Sequence, residues 1–159
     1  MRINPSSMKL AFSAWAVREW PVERQIGLVQ AAGYVGICLV SGAEFPFDAL
    51  RADSAERHRV RALLDGSGLA LTAIAGHANL LESEPAQCTA NLDRVRATLD
   101  LAADLAGSHG PPPVITMGFG TPGRYFDDRE ALAERFGDLA QHASHTGGVV
   151  ALEPHVGRL

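Results

Sequence analysis

Residues 149–157 read Val-Val-Ala-Leu-Glu-Pro-His-Val-Gly, so four apolar residues run directly into a carboxylate. A short apolar run bounded by turn-forming residues predicts a strand that is buried on both faces, as in a parallel sheet. In parallel α/β proteins the chemistry lies where such strands end. The position of Glu153 therefore predicts a metal ligand or a general base.

Upstream of this stretch, short apolar runs alternate with segments of helical spacing. Each predicted strand is closed by glycine, by proline or by a polar loop. The five predicted strands are residues 8–13, 34–40, 69–75, 114–117 and 149–152.

Four helices are predicted between these strands, because apolar residues recur there at intervals of three and four. Residues 15–20 are predicted to be a loop, Ser54 to be an N-cap, and Gly66 and Gly68 to break the second helix. The helices are residues 22–32, 55–65, about 85–106, and a fourth that is capped by Asp127 or Asp128 and carries Leu132, Phe136, Leu139 and Ala140.

The order β-α-β-α-β-α-β-α-β predicts a parallel sheet with right-handed crossovers. Two architectures fit this order, an open doubly wound sheet and part of a (β/α)8 barrel. Five eighths of a typical barrel of ~250 residues is roughly 156 residues, and the sequence has 159. We predict a single domain over residues 8–159, preceded by an N-terminal extension over residues 1–7.

The composition narrows the class of protein. Hydrophobic residues make up 47%, charged residues 20%, and the net charge is −4 with one lysine, Lys9. A globular fold is expected, and an extended nucleic-acid-binding face is disfavoured because it would need a basic surface. Cys38 and Cys88 form no motif, and no apolar run is long enough to span a bilayer. A reduced, cytoplasmic protein follows.

Other candidate site residues also follow predicted strands. His77 and Asn79 come after the third strand, and His155 lies two residues beyond Glu153. A histidine at a strand end can hold a metal, shuttle a proton or donate to a substrate. Trp15, in the loop after the first strand, is a candidate pocket wall.

Residues 118–123 spell G-x-G-x-x-G after the fourth strand. A dinucleotide fold would place this turn early and open it directly into a helix. Here Pro122 interrupts it and the helical pattern begins several residues later. A loop passing close to a ligand is the better interpretation.

The sequence resembles the xylose isomerase-like TIM barrels, which include sugar phosphate isomerases and epimerases and the apurinic endonuclease family 2 fold. The resemblance covers nearly the whole chain and rests on the order and spacing of several segments. These are MKLAFS, AAGYVGICLV, AIAGHANL, ITMGFG and ALEPHVG.

The resemblance implies a divalent ion (Mn²⁺ or Mg²⁺, with Co²⁺ or Zn²⁺ as alternatives) held by carboxylates and a histidine at strand ends. Glu153 matches the fifth-strand glutamate, which is a metal ligand and can act as an acid or base. His77 matches a third-strand histidine that lines the pocket or, in the endonuclease branch, binds metal. Many members carry a glutamate where this chain has Cys38 or Leu39.

The implied function is metal-assisted proton transfer next to the carbonyl of a sugar or sugar phosphate. The strands that would supply the other ligands are absent from the sequence, so we expect the N-terminal part of a longer barrel, with open sheet edges that favour self-association. The alternatives are a non-catalytic fragment or a partner- or ligand-binding protein. An apurinic endonuclease is disfavoured by the acidic balance.

Overall fold

A computed structural model of the protein describes residues 9–106, 112–118 and 129–153. The predicted extension over residues 1–7 and the predicted caps Asp127 and Asp128 lie outside these ranges. The strands are β1 (Ala11–Ser13), β2 (Gly36–Val40), β3 (Ala70–Ala75), β4 (Val114–Met117) and β5 (Val149–Leu152). The helices are α1 (Val22–Ala31), α2 (Ser54–Ser67), α3 (Pro85–Ala106) and α4 (Arg129–Thr146).

The five strands form one parallel sheet whose spatial order is the chain order, β1-β2-β3-β4-β5. Consecutive helices contact one another, α1 with α2, α2 with α3 and α3 with α4. A doubly wound sheet would reverse its strand order and carry helices on both faces. The structure is therefore the partial (β/α)8 barrel, the second of the two predicted architectures.

Alternation along the strands divides the sheet into two faces. Ile37, Leu39, Ile74 and Ile115 are fully buried and belong to the main core cluster, which they share with helical residues such as Val60 and Leu99. The opposite face carries smaller side chains, and at its carboxyl end it borders a cavity. The helices therefore cover one face, and the chemistry-bearing residues occupy the other.

The first two strands begin later than the sequence pattern predicts. β1 starts at Ala11 instead of residue 8, and β2 starts at Gly36 instead of Tyr34. The N–H of Tyr34 donates back to the carbonyl of Val29 in α1, so this apolar residue still belongs to the helix exit. The predicted loop after β1 is wrong in part, because Ala14–Val17 form a 3₁₀ helix.

The bounds of α2 also differ from the prediction. Asp53, not Ser54, is the N-cap, and its side chain accepts from the N–H of Glu56. Gly66 stays inside the helix, since a single helical glycine costs only about 1 kcal/mol relative to alanine. The helix ends at Gly68, whose φ of +70° is the left-handed conformation that glycine adopts readily.

The prediction that β5 is buried on both faces is wrong. Val149 and Leu152 are 55% and 42% exposed. Among the described residues β5 pairs with β4 only, so an apolar sequence that suits a central strand lies at the edge of the sheet. In the described residues, none of the helices is both long and apolar enough to cross a membrane.

The loop between β2 and α2 is fixed to the barrel by a buried ion pair. The Asp48 side chain is 3% exposed, and it accepts from Arg94 on α3. Asp48 also accepts from the N–H of Leu50 and pairs with Arg51. Phe45, which the same loop buries, can therefore hold a constant position against Trp15 in the site.

Candidate functional site

A cavity of about 570 Å³ lies where the carboxyl ends of the strands meet. All five strands contribute to its wall, either with their own residues or with the residue that follows. The lining residues are Ser13, Trp15, Cys38, Ala75, His77, Thr116 and Glu153. Three of the predicted site residues, Trp15, His77 and Glu153, are thus brought together here.

Glu153 reaches the cavity because its backbone continues the β5 ladder. Its N–H donates to the carbonyl of Met117 at 2.8 Å. Side chains along a strand point alternately to the two faces of the sheet, so residue 153 lies on the same face as Val149 and Ala151. Its side chain lines the cavity, whereas Val150 packs against the helical core. The Glu153 side chain is 56% exposed, so water solvates the carboxylate.

His77 lies beside Glu153 in the cavity wall. Its Nδ1 accepts a hydrogen bond from the N–H of Gly118 at 3.2 Å. Its Nε2 is 4.0 Å from Oε2 of Glu153. The two groups are therefore close enough to bind the same ligand atom, and the imidazole is oriented by the main chain at the end of β4.

Trp15 forms the wall on the β1 side. Its ring meets the imidazole of His77 edge-on, with centroids 5.1 Å apart and planes at 72°. Phe45 supports it from behind at 5.9 Å, and the Arg18 guanidinium lies 4.8 Å from the Trp15 ring centroid. The ring is 42% exposed, which leaves an apolar surface beside a polar pair of groups.

Cys38, which the sequence marks only as a departure from the family pattern, belongs to the cavity wall. Burial raises the pKa of its thiol, and the negative charge of Glu153 adds to this, while hydrogen bonds with Ala75 and Ser13 lower it. Sequence reasoning did not select Ser13 or Thr116 either. Small polar residues inside strands carry no signal until the sheet register fixes which face they occupy.

Asn79 stands apart from the cavity wall. Its Oδ1 accepts from the N–H of Leu81, and its Nδ2 donates to Glu82 at 3.2 Å. Asn91 on α3 donates to its backbone carbonyl at 2.7 Å. These bonds build the loop between β3 and α3. The predicted His155 lies outside the described residues.

The described residues do not complete a site for a divalent ion. No cluster of three or more histidine, cysteine or acidic side chains exists among them. Glu153 offers one carboxylate, and the Nδ1 of His77 already accepts a hydrogen bond. Since Mg²⁺ and Mn²⁺ favour near-octahedral sets of oxygen ligands, further donors would have to come from elsewhere.

A family model described as xylose isomerase-like TIM barrel matches residues 4–158. The chain belongs to this family. The match spans nearly the whole sequence and agrees with the strand order and with the placement of the cavity. No curated protein matches the chain.

Several solved structures of xylose isomerase-like barrels share the fold. A 3-keto-D-glucoside 4-epimerase from E. coli is 19% identical with a TM-score of 0.69, covering 93% of this chain and 56% of its own. A Mycobacterium smegmatis protein of this fold, in complex with magnesium, is 16% identical with a TM-score of 0.70, covering 98% and 59%. A Thermus thermophilus protein soaked with zinc chloride is 22% identical with a TM-score of 0.62, covering 92% and 55%.

The chain thus spans little more than half the length of these barrels. At such identities the likeness concerns the fold. It supports a xylose isomerase-like architecture whose members include epimerases, and it leaves the reaction of this protein to be argued from the cavity.

Proposed function

We propose that this chain is the N-terminal part of a sugar or sugar phosphate isomerase or epimerase. The observation that carries the proposal is the pairing of Glu153 with His77, 4.0 Å apart, in a cavity at the carboxyl end of the sheet. A carboxylate beside a hydrogen-bond donor is the minimal set for moving a proton next to a carbonyl. Trp15 adds the apolar wall that a sugar ring or chain can pack against.

In this proposal Glu153 is the catalytic group. It would take a proton from the carbon next to the substrate carbonyl and return it to another position or face. The carboxylate borders the cavity with 56% of its side chain exposed, so a substrate in the cavity can reach it. His77 would bind a substrate oxygen, and His155 and Asn79 remain predicted contributors whose roles call for testing.

A divalent ion, Mn²⁺ or Mg²⁺ with Co²⁺ or Zn²⁺ as alternatives, would polarise the carbonyl and stabilise the enediolate charge. Glu153 is the described residue suited to be one of its ligands. One structural neighbour is in complex with magnesium and another was soaked with zinc chloride, which supports such an ion. The other ligands would come from residues beyond the described ones.

We further propose that residues 8–159 form the first part of a longer barrel, in a reducing cytoplasm where Cys38 and Cys88 stay unpaired. The support is the coverage of 56% and 59% of two neighbouring barrels. The native gene product, sized by immunoblot and intact mass spectrometry, should then approach ~250 residues. A product of 16.9 kDa would contradict this part of the proposal.

A second candidate is a non-catalytic protein that binds a partner or a ligand. It is favoured by the lack of a three-ligand cluster among the described residues. Titration with Mn²⁺ against a panel of keto-sugars and against damaged DNA separates the candidates. Sugar turnover would support the isomerase, and DNA cleavage would indicate an endonuclease. The absence of both activities would favour the non-catalytic binding protein.

The decisive variant is Glu153→Gln in the full-length gene product. Glutamine keeps the shape of the side chain but accepts no proton, so turnover of an active keto-sugar should fall by at least about 10²-fold. Circular dichroism and melting temperature should stay unchanged, since the carboxylate is solvated.

Glu134→Gln is the matched control, because this exposed residue lies on α4, on the helical side of the sheet. It removes the same charge without touching the cavity, and turnover should stay within twofold of wild type. Equal activity of the Glu153→Gln protein would remove Glu153 from the mechanism.

A further inference from the structure

We propose that His77 acts as a neutral donor through Nε2–H, held in that tautomer by the main chain at Gly118, and that His77 and Glu153 together bind one hydroxyl group of the substrate. The sugar substrate rests on the proposed function. The tautomer rests on the hydrogen bond at Nδ1 and is independent of any activity.

The Gly118 N–H marks the point where the β3–β4 ladder stops. Thr116 pairs with Ala75, and its carbonyl accepts from the N–H of Gly76. In a parallel ladder that continued, the next N–H on β4 would donate to a β3 carbonyl. Instead Gly118 donates to the Nδ1 of His77. The imidazole therefore replaces a strand carbonyl as acceptor.

This bond decides where the ring proton lies. A backbone N–H can only donate, so the Nδ1 that accepts from it must carry a lone pair. A neutral imidazole has one N–H, which then belongs to Nε2. Nε2 is the nitrogen that faces Glu153. The strand end thus presents an N–H donor to the carboxylate.

The ring has little freedom to turn away from this arrangement. Trp15 contacts it edge-on, with centroids 5.1 Å apart. The backbone just before it is also confined, because a Cβ on Gly76 would lie 3.0 Å from Cγ2 of Thr98 on α3. The main chain at residue 76 therefore packs closely on the helix and fixes the start of the His77 side chain.

The 4.0 Å between Nε2 and Oε2 is too long for a direct hydrogen bond. An oxygen about 2.8 Å from both atoms fits at this separation. It would have to accept from Nε2–H and donate to the carboxylate. A hydroxyl does both, whereas a carbonyl oxygen only accepts and an ammonium only donates. The pair is therefore suited to an alcohol group of a polyol.

The same bond argues against His77 as a metal ligand. Coordination of a metal through Nε2 would require the ring proton to move to Nδ1. Nδ1 could then no longer accept from the Gly118 N–H, because two donors would face each other. Among the described residues of the cavity, Glu153 is then the side chain that can serve both as a ligand and as a base.

The first test measures the tautomer without any ligand. The full-length gene product is labelled with ¹⁵N-histidine, and its ring nitrogens are recorded in long-range ¹H–¹⁵N spectra. His77→Gln identifies the His77 signals by their loss. We expect a single neutral form with the proton on Nε2. A proton on Nδ1, or a mixture of both forms, would overturn the proposal.

The second test uses xylitol, a polyol without a carbonyl, as the probe in an NMR titration. His77→Gln retains an amide donor near the position of Nε2, whereas His77→Asn shortens the side chain and loses it. We expect the Kd for xylitol to rise about tenfold in His77→Asn and by no more than about threefold in His77→Gln. Equal weakening in both variants, or no xylitol binding to wild type, would refute the shared hydroxyl site.

A third test, a Zn²⁺ titration, shows whether His77 is a metal ligand. If His77 donates only hydrogen bonds, Zn²⁺ affinity should be the same for wild type and His77→Gln, while Glu153→Gln reduces it. A decrease in Zn²⁺ affinity of at least about tenfold in the His77→Gln protein would show that His77 coordinates the metal directly and would refute the proposal. A wild-type protein with the Nε2–H tautomer that binds xylitol but turns over no sugar would refute the proposed function alone.

Discussion

The resemblance to the family implies a glutamate where this chain has Cys38 or Leu39, and of these two residues Cys38 lines the cavity. The side chain still borders the cavity, but it supplies a thiol instead of a carboxylate. Burial is the largest cause that raises its pKa, and the nearby Glu153 charge acts in the same direction. At neutral pH the thiol is therefore uncharged, so Cys38 contributes a small, weakly polar part of the cavity wall.

We predict that iodoacetamide alkylates Cys38 slowly. The alkylation rate should reach half its maximum at a pH above ~8.5, which is the pKa of an unperturbed thiol. The thiolate is the reactive form, and the raised pKa delays its appearance as pH rises. Peptide mass spectrometry across a pH series measures the site directly.

Glu153→Gln provides the control for this prediction. Removing the negative charge should lower the pKa of Cys38 and speed alkylation at a fixed pH. A half-maximum at or below ~8.5 in the wild-type protein would contradict the proposed environment of the thiol.

The start of α2 shows how one residue decides the boundary of an element. Asp53 and Ser54 are adjacent, and either residue type is a common N-cap. Asp53 has an extended backbone, and its Oδ1 accepts from the N–H of Glu56 at 2.8 Å. The backbone path from the buried Asp48 turn makes Asp53 the last non-helical residue, so Ser54 enters the helix.

We predict that Asp53→Ala lowers the free energy of unfolding by about 1 kcal/mol, because an N–H of the first turn loses its acceptor. Ser54→Ala is the matched control. It should change stability by no more than about 0.5 kcal/mol, as is usual for a surface position. Urea denaturation followed by circular dichroism compares the two, and the reverse order of effects would restore Ser54 as the cap.

The pattern of apolar runs predicted every strand and every α-helix of the described residues but missed the 3₁₀ helix, and the bounds of α3, β4 and β5 agree with the prediction. Errors concentrate at ends, as at Tyr34 and Gly66, where a single hydrogen bond or one backbone angle decides. The candidate site was predicted in part. Glu153, His77 and Trp15 follow strands and meet in the cavity, whereas Ser13, Cys38 and Thr116 reach it through alternation and register.

At the scale of the whole molecule, β5 lies at the edge of the sheet formed by the described residues, where it pairs with β4 and contacts α4. An apolar groove of about 440 Å³ runs between β5 and α4, lined by residues that include Phe136, Leu139 and Leu152. Val149 is 55% exposed beside it. Exposed strand edges with apolar neighbours favour pairing with another chain.

We predict that the 159-residue chain self-associates through β5 and that Val149→Lys shifts it toward monomer. A lysine on an edge strand disfavours pairing because its charge would be desolvated. Sedimentation velocity over a concentration series measures the change.

Leu50→Lys carries the same charge change at a position that is 51% exposed on the loop between β2 and α2. It should leave association unchanged. Monomeric behaviour of the wild-type chain at all concentrations, or an equal effect of both variants, would rule out association through this edge.

The sequence by itself determined the α/β class, the number of strands and the carboxylate at the end of β5. These features depend on local periodicity and on turn residues, which act over a few positions. The tertiary structure decided between the open sheet and the barrel, exposed β5, and fixed the imidazole of His77 against Gly118. Each of these depends on which strand lies beside which, and such pairing joins residues that are far apart in the chain.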